Sequence, residues 1–265
     1  MSFSIIIPSR YGSTRLAGKP LLDIAGKTMV QRVYEQACKS DATEVIVATD
    51  DQRIVDAVNG FGGQVVMTSV DHPSGTDRLQ EVVSLKNYAG DHIVVNVQGD
   101  EPLIPPEAIN QVAESLQAQA EAGIATLCER IADADEALNP NAVKVVRDAN
   151  DMAQYFSRAP IPWLRSWPAV TDVDKRASDY FSQINTAIHS GINWYRHIGI
   201  YAYRVSVINQ YIQWPVSAHE QAESLEQLRA LDNGVRIHCA ESGCNIPAGI
   251  DTIEDLEKVR QSLAQ

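Results

Sequence analysis

The chain has 265 residues, of which 45% are hydrophobic, and a formal net charge of −12. That length suffices for one large hydrophobic core, or for a main domain with a smaller subdomain. The acidic balance argues against nucleic acids and anionic membranes as partners, because both bind basic surfaces.

The first predicted element is a buried strand at residues 3–7, which runs into a loop rich in Gly, Ser and Thr. The loop reads PSRYGSTRLAGKP and carries the cations Arg10, Arg15 and Lys19. Glycines let backbone N–H groups approach a polyphosphate, and the cations neutralise its charge. Spacing and a final proline distinguish it from the P-loop G-x-x-x-x-G-K-[ST]. We predict a triphosphate loop of another design, with solvated surface charges as the alternative.

Strand and helix patterns alternate through the first half of the chain. Apolar runs predict strands at residues 3–7, 44–48, 64–67 and 93–97, and apolar residues recur at helical spacing at residues 30–37 and 79–83. Residues 74–77 have the form of a capping box that opens the second helix. This alternation predicts an α/β fold with a doubly wound, mostly parallel sheet, which binds ligands beyond the carboxyl ends of its strands.

The second half of the chain is less regular. We predict strands at residues 142–146 and 199–203, helices at 220–231 and 255–263, and a capping box at 252–255. Residues 163–194 are interpreted as a loop or a helical excursion, serving as a lid or as a dimerisation element. No linker rich in Pro, Gly or Ser divides the chain, so we predict a single domain over residues 1–265 with an inserted arm around residues 155–215.

The apolar runs and the cysteines bear on the cellular location of the protein. The apolar runs are too short for a membrane span or a signal peptide, which predicts a cytoplasmic protein. The cysteines are Cys38, Cys128, Cys239 and Cys244, with no C-x-x-C pair. We interpret them as reduced thiols and predict no structural metal.

Two acidic segments suggest a Mg²⁺ site. The strand at 93–97 ends in Gln98-Gly99-Asp100-Glu101, and Mg²⁺ prefers one or two carboxylates together with phosphate oxygens. We therefore favour Asp100 as a metal ligand over a helix cap, and leave Glu101 open. Asp251 precedes the last helix, where it either interacts with the helix N-terminus or gives the same ion a second carboxylate.

Two further groups of polar residues lie near predicted helices and strands. The segment HPSGTDR, residues 72–78, starts a helix whose N–H groups can bind a base or a phosphate, with a merely well-capped helix as the alternative. A second group would bind the hydroxyls and carboxylate of an acidic sugar if it converges; it comprises Arg158, His197, Tyr201, Glu226 and Gln227. No Ser–His–Asp or Cys–His arrangement in the sequence has a persuasive local context, so covalent catalysis is not favoured.

Nine segments in chain order resemble the 3-deoxy-manno-octulosonate (Kdo) cytidylyltransferases, or CMP-Kdo synthetases, within the sugar nucleotidyltransferases. They are IIIPSRYGSTRLAGKPL, VATDD, DHPSGTDRL, VNVQGDEPLIP, NPNAVKVV, YFSRAPIPW, HIGIYAYR, ESLEQLR and GIDTIEDLEKVR. The chain departs from the family pattern at Ser9, Ala17 and Asp77, where Ala, Pro and Glu are usual. The stretch at residues 167–195 looks longer than usual, which bears on the geometry of the arm.

The resemblance implies a Mg²⁺-dependent nucleotidyltransferase of the nucleotide-diphospho-sugar transferase fold, with a sugar-binding and dimerisation arm. It would transfer CMP from CTP to Kdo, giving CMP-Kdo and pyrophosphate for lipopolysaccharide synthesis in the cytoplasm. The resemblance further implies a homodimer with no nucleic-acid or membrane partner. A related acidic sugar, 8-amino-Kdo or sialic acid, is the alternative substrate, and a catalytically silent nucleotide-binding protein is the alternative of another class.

The resemblance also implies roles for individual residues. Lys19, Asp100 and Arg10 would be catalytic, Asp100 and Asp251 would bind Mg²⁺, and no side chain stands out as a general base. The CTP-binding residues would be Ser9, Arg10, Gly12, Ser13, Lys19, His72, Ser74, Gly75, Arg78 and Gln98. The Kdo-binding residues would be Arg15, Arg158, His197, Tyr201, Glu226 and Gln227.

Overall fold

The computed structural model describes residues 2–12, 16–165 and 173–263. The strands are β1 (Phe3–Ser9), β2 (Asp23–Ile24), β3 (Lys27–Thr28), β4 (Glu44–Thr49), β5 (Val65–Met67), β6 (Ile93–Asn96), β7 (Ile124–Arg130), β8 (Lys144–Arg147), β9 (Ala153–Ser157), β10 (Tyr195–Arg204) and β11 (Ile237–Glu241). The helices are α1 (Met29–Ala37), α2 (Gln52–Gly60), α3 (Gly75–Leu85), α4 (Pro106–Ala118), α5 (Ala134–Leu138), α6 (Val173–His189), α7 (Val205–Tyr211), α8 (Ala218–Glu223), α9 (Gln227–Asp232) and α10 (Ile253–Leu263), with a 3₁₀ turn at Lys19–Leu21.

These elements form two compact units. Unit 1 comprises Met1–Ala125, Ile200–Gln213 and Ser242–Gln265, and unit 2 comprises Thr126–Gly199 and Trp214–Glu241. The arm expected around residues 155–215 thus has residues in both units, with 200–213 in unit 1. The single domain over residues 1–265 stays a prediction.

Unit 1 is built on the parallel sheet that the alternating pattern predicts. The strand order is β5-β4-β1-β6, all parallel, and the last residues of β10 pair antiparallel with β6. The central strand is the most apolar, with Ile5, Ile6 and Ile7 fully buried. β-Branched side chains of this kind suit a strand that helices cover on both faces. The mostly parallel α/β fold is therefore confirmed.

The order of these strands defines where a ligand would bind. From β1 the chain adds β4 and β5 on one side and then returns to add β6 on the other. The order therefore reverses at β1, and doubly wound sheets bind ligands at this switch point, beyond the carboxyl ends of the strands. Arg10 follows the end of β1, and Gln98 to Asp100 follow the end of β6.

The C-terminal segment of unit 1 packs against the β2-β3 hairpin region. A buried apolar cluster joins Ile24 and Met29 to Ile250 and Leu256. The predicted capping box at the start of α10 is confirmed, because Asp255 N donates to Thr252 Oγ1 at 3.2 Å and Thr252 N donates to Asp255 Oδ2 at 3.1 Å.

Unit 2 combines antiparallel strands with a buried helix pair. β8 pairs antiparallel with β9 and with the first residues of β10, and β7 lies between β11 and β10. An apolar cluster from α5, α6 and the chain before β10 includes Ala137, Tyr180, Ile184 and Trp194. For residues 163–194 the sequence predicts a loop or a helical segment, and Val173–His189 of this stretch form the helix α6. Residues 166–172 lie outside the described residues. In the described part of the chain, no helix has the length and apolar character needed to cross a membrane.

The single helix predicted at residues 220–231 is wrong, because two short helices, α8 and α9, occupy this stretch. Ser224 adopts a left-handed conformation with φ of 52°, which ends α8. A buried ion pair links the two helices, with Arg229 Nε donating to Glu220 Oε2 at 2.6 Å. The apolar spacing continues through the break, so periodicity alone did not reveal it.

Candidate active site

A cavity of about 300 Å³ lies at the switch point of unit 1. Its lining residues are Pro8, Ser9, Arg10, Gly12, Lys19, Pro20, Gln98, Gly99, Asp100 and Asp251. They include both predicted metal ligands and five of the predicted CTP residues. Ser13 and Arg15, which the sequence analysis assigns to CTP and to Kdo, lie outside the described residues.

Lys19 joins the two predicted metal ligands. Its Nζ donates to Asp100 Oδ2 at 2.7 Å and to Asp251 Oδ1 at 3.2 Å. The lysine side chain is 13% exposed, against 35% and 48% for the two aspartates, so the amine lies deeper than the carboxylates. Asp100 does not cap the following helix, because Pro105 occupies the N-cap position of α4.

The backbone before α10 brings Asp251 to this position. Ile250 N donates to Asp100 O at 2.9 Å. A Cβ added at Gly249 would lie 3.3 Å from the same carbonyl oxygen, so glycine allows the two segments to approach closely. Together with the buried side chain of Ile250, these contacts fix the Asp251 carboxylate beside Lys19.

The donor set at this point fits a divalent cation. Two carboxylates facing one amine leave a formal charge of −1, and carboxylate oxygens are the protein ligands that Mg²⁺ prefers. Among the described residues there is no group of three or more His, Cys, Asp or Glu side chains arranged to hold a metal. Substrate phosphate oxygens and water would complete the coordination of an ion bound by Asp100 and Asp251.

Glu101, the residue left open in the sequence analysis, lies in a different environment. Its Oε2 is buried and has no hydrogen-bond partner within the described ranges. Burial, assisted by the charge of Asp100, raises the pKa of Glu101 to about 8. This favours the neutral acid at pH 7, which is a poor ligand for Mg²⁺.

Gly99 is required by the close approach of the ends of β1 and β6. A Cβ at this residue would lie 2.8 Å from Pro8 O and 2.9 Å from Ser9 Oγ. We expect Gly99→Ala to lower the free energy of unfolding by about 1–3 kcal/mol, because the backbone carbonyl cannot move aside cheaply. Urea denaturation measures this, with Gly60→Ala as the matched control.

Gly60 ends α2, and an added Cβ would meet nothing within 4 Å. The control should leave stability unchanged or raise it by up to about 1 kcal/mol. Equal effects at the two glycines would contradict the close approach at Gly99.

The start of α3 has the N-cap half of the first predicted capping box, and the chain just before it contacts the loop that follows β1. Ser74 Oγ accepts from Asp77 N at 3.3 Å and donates to Asp77 Oδ2 at 2.5 Å, and Gly75 opens the helix. The carbonyl of His72 accepts from Arg10 Nη2 at 2.7 Å. The structure thus connects the loop that follows β1 with the segment predicted to bind the base.

Arg78 differs from the other residues of this segment because it is completely buried. Its Nη2 donates to Asp50 Oδ2 at 2.6 Å, and its Nη1 donates to Thr68 Oγ1. These contacts tie α3 to the chain beyond β4 and β5. A contact of Arg78 with CTP stays a prediction. The sequence analysis missed Asp50 as its partner, although VATDD was among the family segments.

His197 is the predicted sugar-binding residue that lines a cavity of unit 2. That cavity measures about 720 Å³, and its other lining residues are Asp133, Asp135, Glu136, Asn139, Asn141, Ala142, Val143, Arg196 and Gly199. His197 Nε2 forms a hydrogen bond with Thr126 Oγ1 at 2.9 Å. Burial, followed by the charge of Arg196, lowers the pKa of His197 to about 3. The imidazole is therefore a neutral hydrogen-bonding group at pH 7.

The titration of His197 predicts a pH-dependent stability. An unfolded histidine has a pKa of about 6.5, so unfolding takes up a proton between about pH 6.5 and 3. The contribution of His197 is fully present above pH 6.5 and is lost as the pH falls toward 3. We expect the unfolding free energy of His197→Gln to fall less than that of the unmodified chain between pH 7 and 4 in urea titrations. An identical fall would contradict the neutral, buried state.

The other predicted sugar residues that the structure describes belong to several different elements. Arg158 Nε donates to Glu223 O at 2.7 Å and its Nη1 to Pro140 O at 3.0 Å, so its guanidinium braces the turn after α8. Glu226, exposed, and Gln227, buried, follow that turn at the start of α9. Tyr201 belongs to unit 1, where its ring stacks on Tyr203 with centroids 5.7 Å apart. The sugar-binding roles of these residues stay predictions.

Lys144 is a buried cation of unit 2 that the sequence analysis did not single out. It is fully buried in β8, and its Nζ donates to Asn139 O at 2.7 Å. Burial, followed by the charge of Arg158, lowers its pKa to about 8. Lys144 thus supports the segment that lines the larger cavity. A lysine inside the apolar run AVKVV was the available signal.

The chain is similar to known proteins in both sequence and structure. A family model described as cytidylyltransferase matches residues 4–237. The 3-deoxy-manno-octulosonate cytidylyltransferase of Photobacterium profundum is 57% identical over 98% of both chains, and that of Marinobacter nauticus is 55% identical over 98% of this chain and 96% of its own. A solved CMP:2-keto-3-deoxy-manno-octonic acid synthetase complexed with CTP is 44% identical, covers 100% of this chain and 98% of its own, and superposes with a TM-score of 0.85.

Proposed function

The chain belongs to the cytidylyltransferase family, and we propose that it transfers CMP from CTP to Kdo with release of pyrophosphate. One observation carries the proposal most strongly: Lys19 bridges Asp100 and Asp251 in a cavity at the switch point of the sheet, beside Arg10. A cation pair next to two carboxylates suits a triphosphate with its divalent ion. The named relatives at over 50% identity, 3-deoxy-manno-octulosonate cytidylyltransferases, support the choice of substrates.

The reaction forms one bond and breaks one. The anomeric 2-hydroxyl oxygen of Kdo bonds to the α-phosphorus of CTP, while the bond from that phosphorus to the bridging oxygen breaks and pyrophosphate leaves in line. The hydroxyl proton passes to solvent. Arg10 and Lys19 neutralise the charge that accumulates on the leaving pyrophosphate, so catalysis is mainly positioning and electrostatic stabilisation.

Asp100 and Asp251 would hold the divalent ion, which we take to be Mg²⁺. When bound, the ion polarises the α-phosphoryl group and lowers the pKa of the attacking hydroxyl. Gln98 and the 72–78 segment read the cytosine nucleotide, and the residues that bind the sugar are Arg15, Arg158, His197, Tyr201, Glu226 and Gln227. A homodimer in the cytoplasm, as the family resemblance implies, belongs to the same proposal.

Pyrophosphate release tests the assignment of both substrates. With Mg²⁺ present, we expect release to require CTP and Kdo together, and ATP or GTP to be used up to roughly 10⁴-fold less efficiently, because a site built to hydrogen-bond one base edge rejects others. A panel with 8-amino-Kdo and sialic acid compares the alternative sugars. Comparable rates with ATP and CTP, or a preference for another sugar, would contradict the proposal.

A further inference from the structure

Tyr11 occupies a special position in the loop after β1. The Cζ atom of Arg53 lies 3.3 Å from the centroid of the Tyr11 ring. A Cβ built on Gly18 would lie 3.1 Å from two carbons of this ring, Cε2 and Cζ, and 3.1 Å from the hydroxyl oxygen of Tyr11. Gly18 N also donates to Tyr11 O at 3.2 Å. The tyrosine thus contacts both the far end of its own loop and an arginine of α2.

Two observations favour glycine at position 18, opposite this ring. Its φ of 64° lies in the left-handed region, which side-chain-bearing residues rarely adopt. The absence of a Cβ also lets the Tyr11 ring approach the backbone. The contact between Tyr11 and Gly18 therefore depends on the left-handed backbone of Gly18 and on the packing of the Tyr11 ring against it.

Hydrogen bonds to Asp51 fix the position of the Arg53 guanidinium beside the Tyr11 ring. Its Nε donates to Asp51 Oδ1 at 2.9 Å and its Nη2 to Asp51 Oδ2 at 2.6 Å. Asp51 is in turn the N-cap of α2, where its Oδ1 accepts from Arg53 N at 2.9 Å. A bidentate pair anchored on a helix cap fixes the plane of the guanidinium, which favours its contact with the aromatic face.

The residues next to these contacts line the smaller cavity. Arg10 and Gly12 flank Tyr11 in the chain, and Lys19 directly follows Gly18. A shift of the Tyr11 ring or of Gly18 would consequently move both cations that face the phosphates.

We propose that Tyr11, Gly18 and Arg53, with Asp51, form a clasp that holds the two ends of the loop in the triphosphate-binding geometry. The inference rests on the proposed function, since it assigns Tyr11 and Arg53 as positioning residues for CTP. They act through Arg10 and Lys19, whose positions beside the two ends of the loop the clasp fixes before the nucleotide binds.

The test measures CTP affinity without sugar by calorimetry, together with the KM values for CTP and Kdo. Arg53→Ala should weaken CTP binding about three- to tenfold, the scale of a lost cation–π contact, with the KM for Kdo and the melting temperature unchanged. Tyr11→Phe, which keeps the ring but loses the hydroxyl that interacts with Arg53, should bind CTP with an affinity between those of the unmodified chain and Tyr11→Ala, and Tyr11→Ala should resemble Arg53→Ala. The double variant Tyr11→Ala/Arg53→Ala should be no weaker than the weaker single variant, because coupled residues are not additive.

Arg130→Ala is the matched control. Arg130 is 59% exposed and paired with Glu241 at 2.8 Å, while Arg53 is 58% exposed and paired with Asp51 at 2.6 Å. The control should leave CTP affinity unchanged. An unaltered CTP affinity in Arg53→Ala would overturn the clasp. Fully additive losses of CTP affinity in the double variant would show that Tyr11 and Arg53 act independently, and this would also overturn the clasp.

Hydrogen exchange separates this inference from the proposed function. In the ligand-free chain, Arg53→Ala should speed exchange of the Gly18 amide, and Arg130→Ala should not. If the unmodified chain fails to use CTP, the proposed function fails and the exchange result still decides whether the clasp holds the loop. Unchanged exchange at Gly18 would overturn the clasp.

Discussion

Lys19→Met is expected to lower kcat/KM for pyrophosphate release by about 10²–10³-fold, the scale of losing one preorganised electrostatic donor. Methionine keeps the length of the side chain but removes the charge that both carboxylates share at 2.7 and 3.2 Å. The two carboxylates are partly exposed, so water can solvate them in the variant and the fold should survive. Steady-state kinetics and thermal unfolding measure the two effects separately.

Lys27→Met provides the control for Lys19. Lys27 lies in β3 of the same unit and pairs with Glu35 at 2.6 Å, away from the cavity lining. Its replacement should leave kcat/KM unchanged. Near-normal activity of Lys19→Met would contradict a catalytic role for Lys19. If Lys19→Met fails to fold while Lys27→Met folds, the role of Lys19 is structural.

Asp100→Asn and Asp251→Asn should each reduce turnover by about 10³-fold or more, while the protein stays folded. The double variant should lose little beyond the more severe single one, because residues that serve one ion act as a unit. We expect this coupling because Lys19 contacts both carboxylates, which are about 150 residues apart in the sequence but lie beside the same amine in the structure. Kinetics of the four proteins at saturating Mg²⁺ measure the coupling.

Asp255→Asn is the matched control for Asp251. Asp255 belongs to the same helix start; its Oδ2 accepts from Thr252 N at 3.1 Å in the capping box and from Asp251 N at 3.3 Å, and asparagine keeps an oxygen that can accept both bonds. We expect this variant to lose up to about 1 kcal/mol of stability and to keep its activity. Additive losses in Asp100→Asn/Asp251→Asn, or a loss of turnover in Asp255→Asn as large as in Asp251→Asn, would contradict a shared site.

Local sequence was sufficient to predict the parallel sheet and the loop cations. Runs such as residues 5–7 encode a buried strand directly, and the spacing of Gly, Arg and Lys predicts an anion-binding loop. The position of Asp251 was different, because the sequence allowed a helix-terminal role as well as a metal-binding one. Packing of Ile250 and Leu256 against Ile24, together with the bond from Ile250 N to Asp100 O, places Asp251 near Asp100, and its metal-binding role stays a prediction.

Buried charges were the least predictable part of the chain. Arg78 stands at a helix start, where a cation suggests a phosphate ligand, yet its partner Asp50 lies 28 residues earlier. Lys144 sits inside an apolar strand pattern and is satisfied by a backbone carbonyl. The break at Ser224 is a backbone conformation that apolar periodicity cannot report. Each of these depends on contacts or dihedral angles that no local pattern specifies.

The central claim is that Asp100 and Asp251 jointly present a divalent cation to the triphosphate of CTP. A crystal structure with CTP and Mn²⁺ in place of Mg²⁺, recorded at the manganese absorption edge, tests it directly. We predict one anomalous peak in contact with oxygens of both carboxylates and of the α-phosphate, at distances close to the 2.0–2.1 Å of Mg²⁺ sites. A peak that contacts only one of the two aspartates, or a triphosphate bound elsewhere, would contradict the claim.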